Sequence, residues 1–533
     1  MIRRVAFDQV EALYSLDSTR HWEHLAAGLL PSHTLMARAG LAIAQLSRAV
    51  QPHARCIWVA CGPGNNGGDG LVAATHLHRW AQSTGNGVRV IATHGSADPA
   101  FSIVLPPDAQ NALAAARTAG VQIQIEPPAQ FDLGIDALLG MGASGPLSSV
   151  ISQTLSHLRH APCPVVCVDL PSGLHAETGE LQPLPGDPSR AAPLQTGPRY
   201  TLSLLTLKPG LFTNDGRDAS GEVWFDDLSA VPQADTSPMA RLHAEVPHTA
   251  LQASRPHSSH KGKFGDVLVL GGQAIAVNGV GMTGAAILAA TAALHAGAGR
   301  VFVSLLGEAP GSEIRYEPRS PELMFRAPQR MLESDLPDSA TVVCGCGGGE
   351  AVAAVLPSVL TRSQRLVLDA DALNAIAKDS VLQAQLTQRS QHGWTTVLTP
   401  HPLEAARLME TSTTSVMQDR LAAAQTLADR FGAICVLKGS GTIVTQPGDT
   451  PWINASGSAR LATAGTGDVL AGMIGAALAA PGRSPERGAR HFVASAVFQH
   501  GKLADTWGEM GHPCEMTATL TAGELARRVR PFS

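Results

Sequence analysis

Ala464-Gly465-Thr466-Gly467-Asp468, running on into Val469-Leu470-Ala471-Gly472, is the stretch on which the reading of the second half turns. Gly465 and Gly467 let the backbone come close to a ligand. The apolar, Ala-rich run after Asp468 reads as a helix. The turn then offers free N–H groups at a helix N-terminus, a place that holds phosphate or another developing anion. Asp468 puts a carboxylate at the mouth of that anion hole, where it can take a proton from a hydroxyl. On this stretch alone the plainer reading, a helix N-cap, stays open.

Three other strand ends extend the pattern. Lys438-Gly439-Ser440-Gly441-Thr442 follows the strand Ile434 to Leu437. Small residues around a Lys and a Thr make a turn able to hold nucleotide phosphates, or a plain hairpin before Ile443-Val444. Thr399-Pro400-His401-Pro402-Leu403-Glu404 follows the strand Thr396 to Leu398. Its prolines stiffen the turn and aim His401 at the carboxyl ends of the strands, where open parallel sheets bind ligands. Asp369-Ala370-Asp371-Ala372-Leu373-Asn374 closes the strand Leu366 to Leu368. Its acids reach Mg²⁺ through water or cap the next helix, and a cap is the expectation for Asp371. Val267 to Leu270, Val301 to Leu305 and Thr341 to Cys344 read as further strands, and Gly284 to Gly297 as a helix.

The first half repeats the architecture without repeating the sequence. Gly62-Pro63-Gly64-Asn65-Asn66-Gly67-Gly68-Asp69-Gly70 lies between a strand, Cys56 to Ala60, and a helix, Leu71 to Trp80. It is not the G-x-G-x-x-G dinucleotide fingerprint, because Asn and Asp occupy its centre. Its glycines permit close approach, the helix start can hold a pyrophosphate, and its side-chain oxygens suit a hard cation. Asp136 precedes a second glycine-rich loop, Leu139 to Pro146, and Asp169 precedes Leu170-Pro171-Ser172-Gly173. Three such ends converging on one sheet edge favour a site over a set of turn caps. Strands at Val88 to Thr93, Asp132 to Leu139 and Val165 to Leu170, with a helix at Ala109 to Ala119, complete an α/β reading: two domains, each a sheet wrapped by helices.

The bulk numbers bound this picture. The 533 residues exceed one typical core. Residues 229 to 259 carry Pro232, Pro238, Pro247 and Pro256 and read as a linker and lead-in between domains 1–228 and 260–533. The Pro-rich stretch Gly179 to Arg199 reads as a surface loop. A net charge of −5 without a basic stripe argues against nucleic acid. No apolar run reaches the roughly 18 residues of a membrane span. Met1-Ile-Arg-Arg is followed by Asp8 and Glu11, which does not suit a secretory signal. The eight cysteines lack disulfide-framework or zinc-ribbon spacing and are expected reduced, mostly as packing residues of a cytoplasmic protein.

Taken in order, His260-Lys261-Gly262 with Gly265, Gly271-Gly272, Gly284-Ala285, the Asp369 run, Thr399-Pro400-His401, Lys438-Gly439 and the Gly465-to-Asp468 turn resemble the ADP- or ATP-dependent NAD(P)H-hydrate dehydratase family over roughly residues 250 to 530. The resemblance implies a ribokinase-like fold. It also implies dehydration of the S form of NADHX or NADPHX, in which water has added to the nicotinamide ring, at the expense of ADP or ATP with Mg²⁺. It makes Asp468 the base at the substrate hydroxyl. Ala285, Gly347 and His401 line the hydrate site, and Lys438, Gly439, Ser440, Gly441, Thr442 and Gly467 hold the nucleotide. Two departures stand out: Cys346 where the family commonly has Pro, and a long loop from Gln273 to Thr283.

The first half, through the Asn-Gly loop, Leu35-Met36-Ala37-Arg38-Ala39-Gly40 and Lys208-Pro209-Gly210-Leu211, resembles the NAD(P)H-hydrate epimerase family, whose fold is Rossmann-like. That resemblance implies interconversion of the R and S hydrates and a bound K⁺. Carried over, Asn66, Asp136 and Ser172 bind K⁺, an oxygen-only set suited to a hard cation. Asn65, Asn66, Gly67, Gly68 and Asp69 hold substrate, together with Gly140, Met141, Gly142, Ala143, Ser144, Gly145 and Pro146. Asp169 handles the proton at the epimerising centre. A homo-oligomer is expected. Two alternatives compete: a hydroxymethyl-pyrimidine or thiazole kinase for the second half, and a non-catalytic binding module for the first.

Overall fold

The computed structural model describes the chain apart from residues 99–102, 143–144, 146, 185–196, 231–235, 245–256, 309–313, 315, 481–487, 508–518 and 532–533. It forms two compact units, one of residues 1–6 and 12–240, the other of residues 7–11 and 241–533.

In the first unit, the strands Cys56–Cys61, Leu133–Ala137 and Val165–Val168 are buried along their whole length. That is what a parallel sheet covered on both faces demands. From one edge the order is Arg3–Arg4, Glu222–Asp226, Arg199–Leu204, Val165–Val168, Leu133–Ala137, Cys56–Cys61, Arg89–Thr93 and Gln122–Gln124. Only Arg3–Arg4 runs antiparallel to its neighbour. Ile57, Val59, Ile135 and Val166 pack against the helices Thr34–Val50, Asn65–Thr84 and Pro107–Ala119. Trp58, Ala60 and Val165 pack on the opposite face with Leu155 and Leu158 of the helix Ser149–Arg159. Chain order reverses between Cys56–Cys61 and Leu133–Ala137, the switch point where such sheets open a crevice.

The second unit builds the same logic on a longer sheet. Its order is Met324–Phe325, Arg300–Leu305, Asp266–Gly271, Thr341–Cys344, Arg365–Leu368, Thr395–Leu398, Ile434–Leu437, Ile443–Thr445, Trp452–Asn454 and Ala240–His243. The strands are parallel through Ile434–Leu437, and two antiparallel pairings follow. The switch point falls between Asp266–Gly271 and Thr341–Cys344. Beside it the helix Thr466–Ala479 is buried without a break from Val469 to Ala479. It lies so close to the helix Thr283–His295 that a Cβ on Gly472 would come within 1.9 Å of the Ala289 carbonyl oxygen.

Several expectations need correcting. The segment 229–259 is not only a linker: Ala240–His243 is a strand, parallel to Trp452–Asn454. The helix after the Asn-Gly loop starts at Asn65, not Leu71, so Asn65 to Gly70 are its first turns. Asp371 does not cap its own helix; its Oδ2 accepts from the Gly349 N–H at 2.8 Å. The stretch 179–199 is not all surface loop. Leu184 is buried, Arg199 begins a strand, and 185–196 lie outside the described residues.

Candidate functional sites

In the second unit the expected residues meet around one buried charge cluster. Lys438 Nζ donates to Asp369 Oδ1 at 2.8 Å and stands 3.9 Å from Glu404 Oε2. Thr399 Oγ1 donates to the same Asp369 oxygen at 2.7 Å. Burial works against the Lys438 charge, but Asp369 and Glu404 outweigh it and hold the ammonium pKa above its usual value. Gly467 lies beside this cation, since a Cβ there would sit 3.5 Å from Lys438 Nζ. Burial first, and the Asp369 charge second, push the Asp468 carboxyl up to about 7, against the pull of Lys438. A carboxyl that titrates there can accept and return a proton near neutrality.

The backbone around the cluster is braced from inside. Gly465 sits at φ 90° and opens the helix with no side-chain cap, so Asp468, three residues on, is not the N-cap. Buried His500, whose pKa burial lowers to about 4, is a neutral ring, and its Nε2 lies 2.9 Å from the Thr466 carbonyl. Buried Arg420 donates to the carbonyls of Leu437, Lys438, Ser440 and Gly441. Thr442 Oγ1 closes the turn on the Gly439 carbonyl at 3.1 Å. A turn whose carbonyls are occupied by an internal guanidinium suits an anion at its amides.

Ala285 and Gly347 come together at the switch point: a Cβ on Gly347, at φ 57°, would lie 2.7 Å from Ala285 Cβ. His401 has a structural task in its own helix. It is the N-cap of the helix Pro402–Met409, its Nδ1 accepting from the Leu403 and Glu404 amides, and its Nε2 lies 3.2 Å from Glu404 Oε1. Both ring nitrogens therefore serve its own helix. Cys346 is no plain packing residue, because its Sγ, Asp369 and Asp468 lie within 4.8 Å of one another.

In the first unit a cavity of about 680 Å³ opens at the switch point, lined by Asn65, Asn66, Asp69, Gly140, Met141 and Asp169 among others. That volume is in the range of small-molecule sites. Asp169 adopts φ 64°, a backbone strain of the kind that collects at functional positions. Its Oδ1 accepts from the Leu204 amide at 3.0 Å and from Lys208 Nζ. Lys208 is fully buried; burial lowers its pKa, and Asp169 offsets part of that. Asp136 accepts from Ser172 twice, from Oγ at 2.5 Å and from N at 2.9 Å. Ser172 Oγ also accepts from the Leu139 amide at 2.9 Å, and Asn66 packs against Gly140, so all three expected cation ligands meet the segment Leu138 to Gly140. Ala143, Ser144 and Pro146 lie outside the described residues.

Two family models divide the chain along the same line: NAD(P)H-hydrate dehydratase matches residues 267–527, and YjeF-related protein N-terminus matches residues 32–210. The bifunctional NAD(P)H-hydrate repair enzyme of Escherichia coli K12 is 36% identical over 525 residues, covering 97% of this chain and 93% of the relative. The chain belongs to the bifunctional NAD(P)H-hydrate repair enzymes. The Coxiella burnetii member is 33% identical, with 97% and 99% covered. A solved ADP/ATP-dependent NAD(P)H-hydrate dehydratase from Bacillus subtilis, co-crystallised with ATP/Mg²⁺, is 28% identical and covers 51% of this chain and 90% of its own, at a TM-score of 0.40. Relatives matching across both halves remove the ground for a separate kinase joined to an inert module.

Some residues of this repair-family site were not read as functional from sequence. Lys208 stood out only as part of a motif, because nothing local says that a lysine is buried against an aspartate 39 residues away. Arg420 and His500 lie on helices, Arg420–Phe431 and Gly488–Asp505, far along the chain from the turns they brace. Glu404, beside the quoted Pro-His-Pro turn, was the one within reach of a sequence argument. Among the described residues no helix is long and apolar enough to cross a membrane.

Proposed function

We propose that the second unit dehydrates the S hydrate of NADH or NADPH with ADP or ATP, and that the first unit interconverts the R and S hydrates, so that both hands are repaired by one chain. The dehydratase reading rests above all on Asp468, a carboxyl raised to about 7 beside an uncapped helix terminus and the Lys438 cation. The nucleotide's phosphates lie against the Lys438 to Thr442 turn and Gly467, with Lys438 offsetting their charge. The hydrate lies against Ala285 and Gly347, with His401 shaping the rim. Asp468 takes the proton of the ring hydroxyl as that oxygen is phosphorylated; phosphate then leaves with the bonding pair while the neighbouring ring carbon loses a proton to water, and the ring double bond returns. Mg²⁺ accompanies the nucleotide, and Asp369 and Asp468 suit contact through its water shell.

For the first unit, Asp169 handles the proton at the epimerising carbon, and the segments 65–69 and 140–146 hold the dinucleotide. K⁺ suits the oxygens of Asn66, Asp136 and Ser172. Asn66 Nδ2 is buried without a hydrogen-bond partner among the described residues, an amide placed for some further group. A bound monovalent ion would fix the loop and offset substrate phosphate charge. Neither nucleic acid nor membrane enters this scheme, and a cytoplasmic homo-oligomer is the expected form. The test is a repair assay with each pure epimer and each nucleotide, following the return of NADH absorbance. Failure with the S epimer and both nucleotides would refute the dehydratase reading.

A further inference from the structure

This inference rests on the epimerase reading of the first unit. Dihydronicotinamide is an enamine, and water added to it leaves the hydroxyl on a carbon bonded to nitrogen. Inverting that carbon without redox chemistry needs two groups: one to take the hydroxyl proton and one to give a proton to the ring nitrogen. Asp169 accounts for the first. The cavity also holds a carboxyl with no assigned chemical task. Asp69 lies between buried Gly68 and Gly70 in the opening turns of the helix Asn65–Thr84 and lines the same cavity as Asp169. No donor among the described residues hydrogen-bonds to its side chain, whereas Asp169 is tied to Lys208 and the Leu204 amide.

We propose that Asp69 is the second catalytic residue of the first unit, the acid that works opposite the Asp169 base across the cavity. The charged groups around it favour that division. Glu23 and Arg20 face the cavity from the helix Leu16–Leu29; His33 and Asp108 line it and pair with each other at 2.5 Å. Lys208 is committed to Asp169. Asp69 is left with carboxyl neighbours. Burial first, then the Asp169, Glu23 and Asp108 charges, push its pKa well above the carboxylate range. A carboxyl among other carboxyls suits the acid, and one bound to a buried lysine suits the base.

The step balances without a co-reactant. Asp169 takes the hydroxyl proton, the C–O bond becomes a carbonyl, and the carbon–nitrogen bond breaks. Its electron pair goes to nitrogen, which takes the proton of Asp69. The open aldehyde turns about its adjoining C–C single bond. Nitrogen then attacks the other face, Asp69 recovers its proton, and Asp169 returns its own to oxygen.

The experiment follows R-to-S conversion by the full chain across pH, with chromatographic separation of the epimers. The wild type should lose rate on the alkaline side, where the acid is deprotonated. Asp69→Asn should lower kcat by about 10²- to 10⁴-fold with KM changed little, and its residual rate should lack the alkaline limb. Asp69→Glu should restore part of kcat and bring back a displaced limb; if the Asn variant fails to fold, this variant carries the test. Dehydration of pure S hydrate by the same preparations reports an intact second unit. A wild type that does not interconvert the epimers refutes the epimerase reading itself. A working wild type whose Asp69→Asn variant keeps kcat and raises only KM, or whose alkaline limb is unmoved in both variants, overturns the role of Asp69.

Discussion

Each half of the chain buries a lysine against an aspartate, and the two pairs behave differently. Lys208 has one carboxylate partner, is wholly enclosed, and has its pKa lowered by burial. Lys438 keeps some exposure and gathers Asp369 and Glu404, so its pKa is raised. The first arrangement anchors a carboxylate that faces a cavity. The second keeps a cation charged beside the uncapped start of the helix Thr466–Ala479. What differs is the enclosure of the amine and the acids in contact with it: Lys208 is wholly buried against Asp169 alone, whereas Lys438 keeps some exposure with Asp369 and Glu404 both within 4 Å.

The most damaging break in the comparison is Asp468→Asn. It should cut dehydration of the S hydrate by about 10²- to 10⁴-fold, because the amide cannot take the proton. Nucleotide should still raise the melting temperature, since Lys438 and its turn are untouched. Near-normal turnover would remove Asp468 from the chemistry.

Asp169→Ala is the counterpart in the first half. Epimerisation should stop while dehydration of pure S hydrate continues. Because Lys208 would be left buried without its partner, the first unit should also lose about 3–5 kcal/mol, read by denaturant unfolding. An unchanged stability would mean that Lys208 finds water or another acceptor. Asp169→Asn should separate the two effects, since it keeps an acceptor near the ammonium while losing the base.

In both halves some elements are more legible in the sequence than others. The buried strands Thr341–Cys344 and Ile434–Leu437 announce themselves as short apolar runs, and the glycine turns after Cys56–Cys61 and before Val469 mark the ligand-facing ends. The strands Arg199–Leu204, Trp452–Asn454 and Ala240–His243 do not, because mixed polarity and nearby prolines obscure their period. Within the site, motif residues such as Asp468 and Lys438 were visible, whereas the contact of Ala285 with Gly347 comes from the fold. The charges that tune them were not. The capping role of the His401 ring was not legible for a related reason: a turn sequence tells where a side chain starts, not that its nitrogens will cap the helix that follows.

A finer test uses pH. With Asp468 raised to about 7, the base is lost as pH falls, so dehydratase kcat/KM should drop about tenfold per unit below that value. Asp369 contributes to the rise, so Asp369→Asn should move this limb to lower pH even if it also slows the reaction. A limb that stays in place would show that the titrating group is elsewhere. The smallest expected effect is ionic. Replacing K⁺ by a bulky organic cation should slow epimerisation severalfold and leave dehydration unaffected. Rubidium or thallium should give an anomalous peak near Asp136; an ordered loop with no such peak would remove the ion.

The near-contact of the helices Thr466–Ala479 and Thr283–His295 has a further consequence for how this protein can change over generations. Gly472 has the Ala289 backbone where its Cβ would be, and Gly475 of the same helix would meet Val343 Cγ2 of the sheet strand Thr341–Cys344 at 2.5 Å. Replacing glycine by alanine is a common route to a stiffer helix, yet at these two places it should cost about 1–3 kcal/mol by overpacking. Because Asp468 rides on one of these helices and Ala285 on the other, a variant that forces them apart also moves the Asp468 carboxyl relative to Ala285. Descendants of this chain can vary freely at exposed positions but can enlarge this seam only through paired changes on both helices.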